Sequence, residues 1–171
     1  MEPVEWLRRT VPGFDNLSED ERGAIGDFSI IWSLFEGSVL KGRGSVSALT
    51  SVVDELRQRN TIDLAPLNSA IDHFRGRYFA NDTFTTAFDQ HLHFRPQDQR
   101  PVAEAFVSGQ ANDEAAILKG LLIIVYRLRN NLFHGIKWTY KIQGQHANFR
   151  YASSTLMATT NMAIAANMVS Y

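Results

Sequence analysis

Five side chains that can act on a phosphodiester lie close together in the second half of the chain. They follow an apolar run at residues 121–125 and comprise two arginines, two asparagines and a histidine: Arg127, Arg129, Asn130, Asn131 and His134. Arginine supplies a fixed positive charge and a fork of N–H donors, and histidine carries a proton near neutral pH. Asparagine has both a donor and an acceptor, so it can orient either group. These are three kinds of group that phosphodiester chemistry uses.

The segment belongs to a predicted helix that begins at Asn112 or Asp113, ends at His134 and is stopped by Gly135, since glycine is common after a helix C-terminus. At about 100° per residue the helix has two stripes. The second, polar stripe is expected to face solvent or another interface, with Arg129 off it, near the apolar edge. The core stripe is Leu121, Val125, Leu128 and Leu132, and the polar stripe is Arg127, Asn130, Asn131 and His134.

A purely structural role is the alternative explanation of this pattern. The helix dipole favours positive charge at a C-terminus, so arginine and histidine are common at helix ends that carry no site. For a helix end of ordinary sequence that explanation would be the more frequent one. The order and spacing of these residues, however, also match a known family signature.

The segment from Arg129 to His134 resembles the signature of the HEPN superfamily, an arginine followed by a polar residue and then by a histidine after four to six intervening residues. Four residues separate Arg129 from His134 and six separate Arg127 from it, so both arginines fit. More loosely, Trp32 and Glu36 match an aromatic residue and an acid that related domains often place in their first long helix.

The resemblance implies a metal-independent endoribonuclease without a cofactor, in which two protomers bring two Arg/His sets into one cleft. One histidine would take the proton of the 2′-hydroxyl, another would protonate the leaving 5′-oxygen, and arginine would stabilise the charge on phosphorus. The implied catalytic residues are Arg129, His134 and Asn130, the last orienting the histidine ring. The implied RNA-binding or positioning residues are Arg127, Asn131 and Lys137.

The implied partners are RNA, a second copy of the chain and, in toxin-like or antiviral relatives, a cognate antitoxin or other protein. Some antitoxin-paired relatives have a modified tyrosine two residues after the histidine. Here that residue is Ile136, so this form of control is not expected. A catalytically inert relative that binds RNA or a partner protein is the alternative function.

Other candidate sites have weaker support. His91 and His93 are separated by one residue, a spacing at which two histidines on a strand or loop could bind one metal ion. The sequence shows no carboxylate or third histidine that clearly belongs with them. Residues 41–45 could hold a phosphate before a helix start, although an inter-helix turn is the simpler explanation. Glu36 is either a partner of Arg129 or a surface acid. Phe133 and Trp138 could stack on bases or serve in packing.

Composition limits the functional classes. The 171 residues carry a net charge of −1, so contacts to nucleic acid would need a local basic patch. The chain has no cysteine, which excludes disulfides and thiolate metal sites and is typical of a reducing compartment. The first residues lack the apolar core of a signal peptide, and no run approaches the roughly 20 apolar residues that span a bilayer. We therefore expect a cytoplasmic protein that does not enter a membrane.

Apolar spacing predicts an all-α fold, a mostly antiparallel bundle of five to seven helices. We expect an N-terminal extension at residues 1–17 and a helical, HEPN-like domain at 18–171. Residues 102–107 and 153–170 are predicted as helices, 136–151 as a loop, and no strand is expected unless 137–142 form one. The predicted helix starts before the long helix are Ser18 (a capping box with Glu21), Ser45, Asp63 and Asn81-Asp82.

Overall fold

The fold is all-α, as predicted. The computed structural model describes residues 1–134 and 143–169, and this part of the chain forms eight α-helices and one short hairpin. This is one helix more than the predicted maximum of seven. The first helix lies within residues 1–17, which were predicted to be an N-terminal extension. The helices are α1 (Pro3–Thr10), α2 (Glu19–Ser38), α3 (Val46–Gln58), α4 (Asn68–Tyr78), α5 (Thr86–Asp89), α6 (Arg100–Val107), α7 (Glu114–Phe133) and α8 (His146–Ala165).

Helix α7 is the centre of the bundle. Its residues from Gly120 to Val125 are all buried, so it is enclosed on every side over two turns. It packs against α3, α6 and α8, while α2 packs along the length of α8. The rings of Phe28 on α2 and Phe149 on α8 lie 5.2 Å apart in that second contact. The helix that carries the candidate site is therefore held by three neighbours.

Short polar side chains start the helices where the sequence predicted them. The Ser18 hydroxyl accepts from the Glu21 amide at 3.1 Å and the Glu21 carboxylate accepts from the Ser18 amide at 2.9 Å, which completes the capping box. Ser45 and Asp113 cap α3 and α7. The other Glu21 oxygen accepts from Gly144 N at 2.6 Å, and these backbone bonds lower the pKa of Glu21.

Two predicted helix starts are wrong. Asp63 accepts from the amide of Ala65 and opens a single 3-10 turn, so α4 begins only at Asn68. Asn81 and Asp82 do not begin a helix but form the turn of a hairpin. Each was read as a cap because Asp and Asn favour caps and turns for the same reason, a side chain that hydrogen bonds to nearby backbone.

The hairpin also contradicts the expectation that the chain has no strand. Its strands are β1 (Phe79–Ala80) and β2 (Thr83–Phe84), paired antiparallel with Phe79 opposite Phe84. Asn81 and Asp82 both have positive φ, 51° and 56°, which is the conformation of a two-residue type I′ turn. Helix α5 follows directly, with Thr85 as its N-cap.

The last helix was predicted at 153–170, but it begins earlier and ends at Ala165. Helix α8 begins at His146, so the loop predicted for residues 136–151 is wrong from 146 onward, and its first part lies outside the described residues. Small polar residues on the buried side of α8, such as Thr155 and Thr159, weaken the apolar signal. Phe14 and Leu17, inside the predicted extension, are buried in the core. At the opposite end, Arg59 donates to the carbonyl of Ala166 just after α8.

Within residues 1–134 and 143–169, no helix combines the length and the apolar character needed to cross a membrane.

The contact between α6 and α7 depends on a missing side chain, and we expect Gly120→Ala to destabilise the protein. A Cβ at Gly120 would lie 2.9 Å from Cγ of Phe106 and 3.0 Å from the carbonyl oxygen of Val102. Overpacking of this kind costs about 1–3 kcal/mol, which outweighs the gain of about 1 kcal/mol from the higher helix propensity of alanine. Denaturant unfolding measures the difference. The control is Gly76→Ala on α4, where a Cβ meets nothing within 4 Å and stability should stay level or rise.

Candidate functional site

Arg127 is a buried structural residue rather than part of an exposed stripe. Its side chain is 1% exposed. Nε donates to the carbonyl of Leu92 at 2.9 Å and Nη2 to the carbonyl of His93 at 2.5 Å. Nη1 lies 2.8 Å from a carboxylate oxygen of Asp98, which is buried as well. The guanidinium therefore ties α7 to the irregular segment that contains Leu92, His93 and Asp98.

Asp98 is the residue that the sequence interpretation missed. One oxygen of its carboxylate, Oδ2, accepts from the backbone amide of Arg95 at 2.7 Å and lies 2.8 Å from Nη1 of Arg127. Burial lowers the pKa of Arg127, and the negative charge of Asp98 opposes that shift. The available signal was Pro96 followed two residues later by an acid, a pattern typical of a helical turn whose acid caps it.

Asn131 is also buried, and the predicted polar stripe is wrong for this reason. Its Nδ2 donates to the carbonyls of His91 and Leu92, at 2.9 and 3.3 Å. Together, Asn131 and Arg127 bind the three consecutive carbonyls of residues 91–93 in the segment that covers this side of α7. An RNA-contacting role for Arg127 and Asn131 would require this buried contact to open.

Arg129, two residues after Arg127, lies on a different side of α7 and reaches the surface. Its side chain is 23% exposed. The guanidinium lies between two aromatic rings, 5.3 Å from the centroid of Trp32 and 5.1 Å from that of Phe133. Nη2 donates to Glu36 at 3.2 Å and Nη1 to the Asn130 side-chain oxygen at 2.9 Å. Its position is thus fixed by two rings and two acceptors.

Glu36 is the partner of Arg129, which decides between the two roles left open by the sequence. The carboxylate oxygen that accepts from Arg129 also accepts from Trp32 Nε1 in the preceding turn of α2. Gly44 lies against the same carboxylate, and a Cβ there would be 2.8 Å from Cδ of Glu36. Glycine at position 44 therefore leaves the space that the carboxylate occupies.

His134 lies at the C-terminus of α7 and is exposed. Its backbone amide still bonds to the carbonyl of Asn130, so the last turn is regular. The side-chain oxygen of Asn130, expected to orient the His134 ring, accepts from Arg129 instead. Lys137, the remaining candidate for RNA positioning, lies outside the described residues, as does Trp138.

The weaker candidate sites serve packing. The carbonyls of His91 and His93 are acceptors for α7, and among the described residues no group of three or more His, Asp or Glu side chains could hold a metal ion. In the 41–45 turn, Ser45 caps α3 and Gly44 approaches Glu36. Residues 41–45 therefore form an inter-helix turn, the simpler of the two explanations, and this turn lies against Glu36.

The described geometry defines an all-α bundle in which Arg129 reaches the surface from the helix that ends at the exposed His134. Comparison of this chain with protein-family models, with curated proteins and with solved structures finds no match in any of the three.

Replacement of the buried Arg127 should make the protein less stable, with no direct effect on chemistry at the surface. We expect Arg127→Ala to lower the free energy of unfolding by about 3–5 kcal/mol, because it leaves Asp98 as a buried charge without a partner. Chemical denaturation followed by circular dichroism measures it. Arg150→Ala removes an exposed arginine of α8 and should change stability by less than about 0.5 kcal/mol. An equally small loss in Arg127→Ala would contradict the structural role.

Proposed function

We propose that this chain is a metal-independent endoribonuclease of the HEPN type, in which Arg129 and His134 act on the scissile phosphodiester. The observation that carries the proposal is the fixed guanidinium of Arg129 on the helix that ends with the exposed His134. The Arg-Asn-x3-His order of these residues, together with the aromatic residue and acid contributed by α2, supports it.

Arg129 would stabilise the transition state. Its contacts to Glu36 and Asn130 use one N–H each of Nη2 and Nη1, and the second N–H of each nitrogen remains for phosphate oxygens, whereas Nε is buried. A cation that is already oriented by packing and hydrogen bonds needs no rearrangement when charge develops on the phosphorus. The rings of Trp32 and Phe133 lie 5.3 and 5.1 Å from the guanidinium carbon and help to hold it in place.

His134 would transfer the protons. In the proposed reaction one histidine takes the proton of the 2′-hydroxyl, and the 2′-oxygen attacks phosphorus. The bond from phosphorus to the 5′-oxygen breaks, and a protonated histidine donates to that oxygen. The products are a 2′,3′-cyclic phosphate and a 5′-hydroxyl. One chain offers a single histidine at this helix end, so the second would come from another copy in a homodimer.

The surface around these residues supports an RNA substrate. Phe133 is 49% exposed beside Arg129, which offers a ring on which a base can stack next to a phosphate-binding cation. Lys137 follows within three residues of His134 and would add charge for the RNA backbone. We propose action in the cytoplasm, toxin-like or in antiviral defence, with a cognate antitoxin or other protein as a further partner.

A non-catalytic role is the second candidate, and one observation favours it. The charge of Arg129 is already paired with Glu36, and both side chains are less than one quarter exposed. An arginine in such a pair can serve a binding surface for RNA or protein without any chemistry. Cleavage assays separate the two functions.

We expect the wild-type protein to cleave mixed RNA in the presence of EDTA and to leave 2′,3′-cyclic phosphate ends. His134→Ala should lower the rate about 10²–10⁴-fold, the usual contribution of an acid–base group. Arg129→Ala should lower it about 10²–10³-fold, as for a lost oxyanion donor. Both variants should remain folded by circular dichroism, and Arg150→Ala is the matched arginine control. Full activity in His134→Ala, or strict dependence on added divalent metal, would refute this mechanism.

Gly44→Ala tests whether the orientation of Arg129 matters. The added methyl would displace the Glu36 carboxylate, the far end of a flexible side chain, so the fold should lose no more than about 1 kcal/mol. Arg129 would then lose an acceptor, and we expect the cleavage rate to fall about tenfold or more. Gly76→Ala, with open space at its Cβ, should leave the rate unchanged. Equal cleavage rates in the two variants would show that the contact between Gly44 and Glu36 has no part in activity.

A further inference from the structure

A cavity of about 520 Å³ lies between the end of α3 and the start of α7. One side is formed by α3 and the link that follows it, and the other by the first turn of α7 with the two residues before it. The volume is within the range of roughly 300–1,000 Å³ that is usual for small-molecule sites. The lining residues are Arg57, Asn60 and Ile62 on the first side and Asn112, Asp113, Glu114, Ala115 and Ile117 on the second.

The cavity is remote from the proposed ribonuclease site. It lies at the start of α7, whereas Arg129 lies near the other end of that helix. At 1.5 Å per residue, the distance along α7 from Asp113 to Arg129 is roughly 24 Å. A small molecule in the cavity would not touch RNA held at Arg129. The inference that follows is therefore independent of whether the chain cleaves RNA.

Opposite charges lie side by side in this cavity without a close hydrogen bond. Nη2 of Arg57 is 3.9 Å from Oδ2 of Asp113, beyond the roughly 2.7–2.9 Å of a charge-assisted hydrogen bond. The other oxygen of Asp113 is already used, because it accepts from the amide of Ala116 at 2.7 Å. Glu114 is exposed beside it, and its carboxylate has no partner in the part of the chain that the structure describes. One guanidinium and two carboxylates thus keep hydrogen-bonding positions for a ligand.

These charges favour a ligand that carries both signs. A simple anion would be attracted by Arg57 and repelled by Asp113 and Glu114, and a simple cation would meet the reverse. A carboxylate and an ammonium on one small molecule satisfy all three side chains together. We propose that the cavity binds an α-amino acid, with its carboxylate on Arg57 and its ammonium on Asp113 and Glu114.

The remaining lining residues indicate an amino acid with an apolar side chain. Ala115 is buried, and Ile62 and Ile117 are half-buried at the edge of the core. A ligand side chain that covers the two isoleucines removes apolar surface from water. The amide side chains of Asn60 and Asn112 have no hydrogen-bond partner among the described residues. They can donate to the ligand carboxylate and accept from its ammonium.

Isothermal titration calorimetry of the full chain with L-leucine tests the ligand class. We expect saturable binding at millimolar concentration or below, with one leucine per chain. L-Leucinamide lacks the carboxylate and N-acetyl-L-leucine lacks the ammonium, so each should bind about tenfold more weakly or worse, the usual loss for one charge-assisted contact. L-Lysine and L-glutamate should also bind more weakly, because their charged side chains would lie against the isoleucines. No saturable binding of leucine, or equal affinity for leucine and any of these four compounds, would overturn the proposal.

Two substitutions test the position of the site. Arg57→Gln and Glu114→Gln each neutralise an exposed side chain, so the circular dichroism spectrum should not change. Each should weaken leucine binding about tenfold or more, for the same reason as the ligand derivatives. The matched control is Arg150→Ala, which removes an exposed arginine of α8 outside the cavity and should bind leucine as the wild type does. Wild-type affinity in Arg57→Gln or Glu114→Gln, or an equal loss in Arg150→Ala, would overturn the proposed site.

Discussion

The buried contact between Arg127 and Asp98 is the constraint on which the rest of the structure depends. A guanidinium that is almost fully enclosed must have its charge and its donors satisfied, because an unpaired charge in the interior is very costly. Here two backbone carbonyls accept hydrogen bonds from Nε and Nη2, and the Asp98 carboxylate, 2.8 Å from Nη1, balances the charge. Apart from one 3-10 turn at Pro96–Asp98, the segment that supplies them has no regular structure, and it is held in place by α7. The same contact covers the side of α7 that carries Arg127 and Asn131, while Phe133 and His134 at the end of the helix stay exposed.

Arg127 and Arg129 show how far sequence could go at the candidate site. They are two residues apart in one helix and fit the same motif spacing, yet one is buried and the other reaches the surface. Helical periodicity correctly placed them on different sides of α7. It could not show which side would be covered, because the covering segment is irregular and has no period to read. The pairing of Glu36 with Arg129 was one of two alternatives, and only the packing of α2 near α7 decides it.

The fold was largely predictable where apolar periodicity and caps agree. Ser18, Ser45 and Asp113 start helices as their side chains indicate, and the apolar residues between them lie in the core. Predictions failed where one residue type serves two local structures, as at Asn81 and Asp82, which form a turn instead of a cap. On α8 the prediction covered residues 153–165, where threonines such as Thr155 and Thr159 return their hydroxyls to the carbonyl one turn back and can be buried in a helix. It missed the first part of the helix, residues 146–152, where the polar Asn148 is buried among apolar residues.

The packing of α2 along α8 has a consequence for how the protein is made. These two helices lie near opposite ends of the chain, so the apolar side of α2 that includes Phe28 stays uncovered until α8 has left the ribosome. At about 5–20 residues per second, synthesis of the intervening hundred or so residues takes on the order of ten seconds. Throughout that time α2 is a nascent segment without its main partner. Completion of the core, and with it the fixed position of Trp32 and Glu36 beside Arg129, therefore waits until α8 has been synthesised.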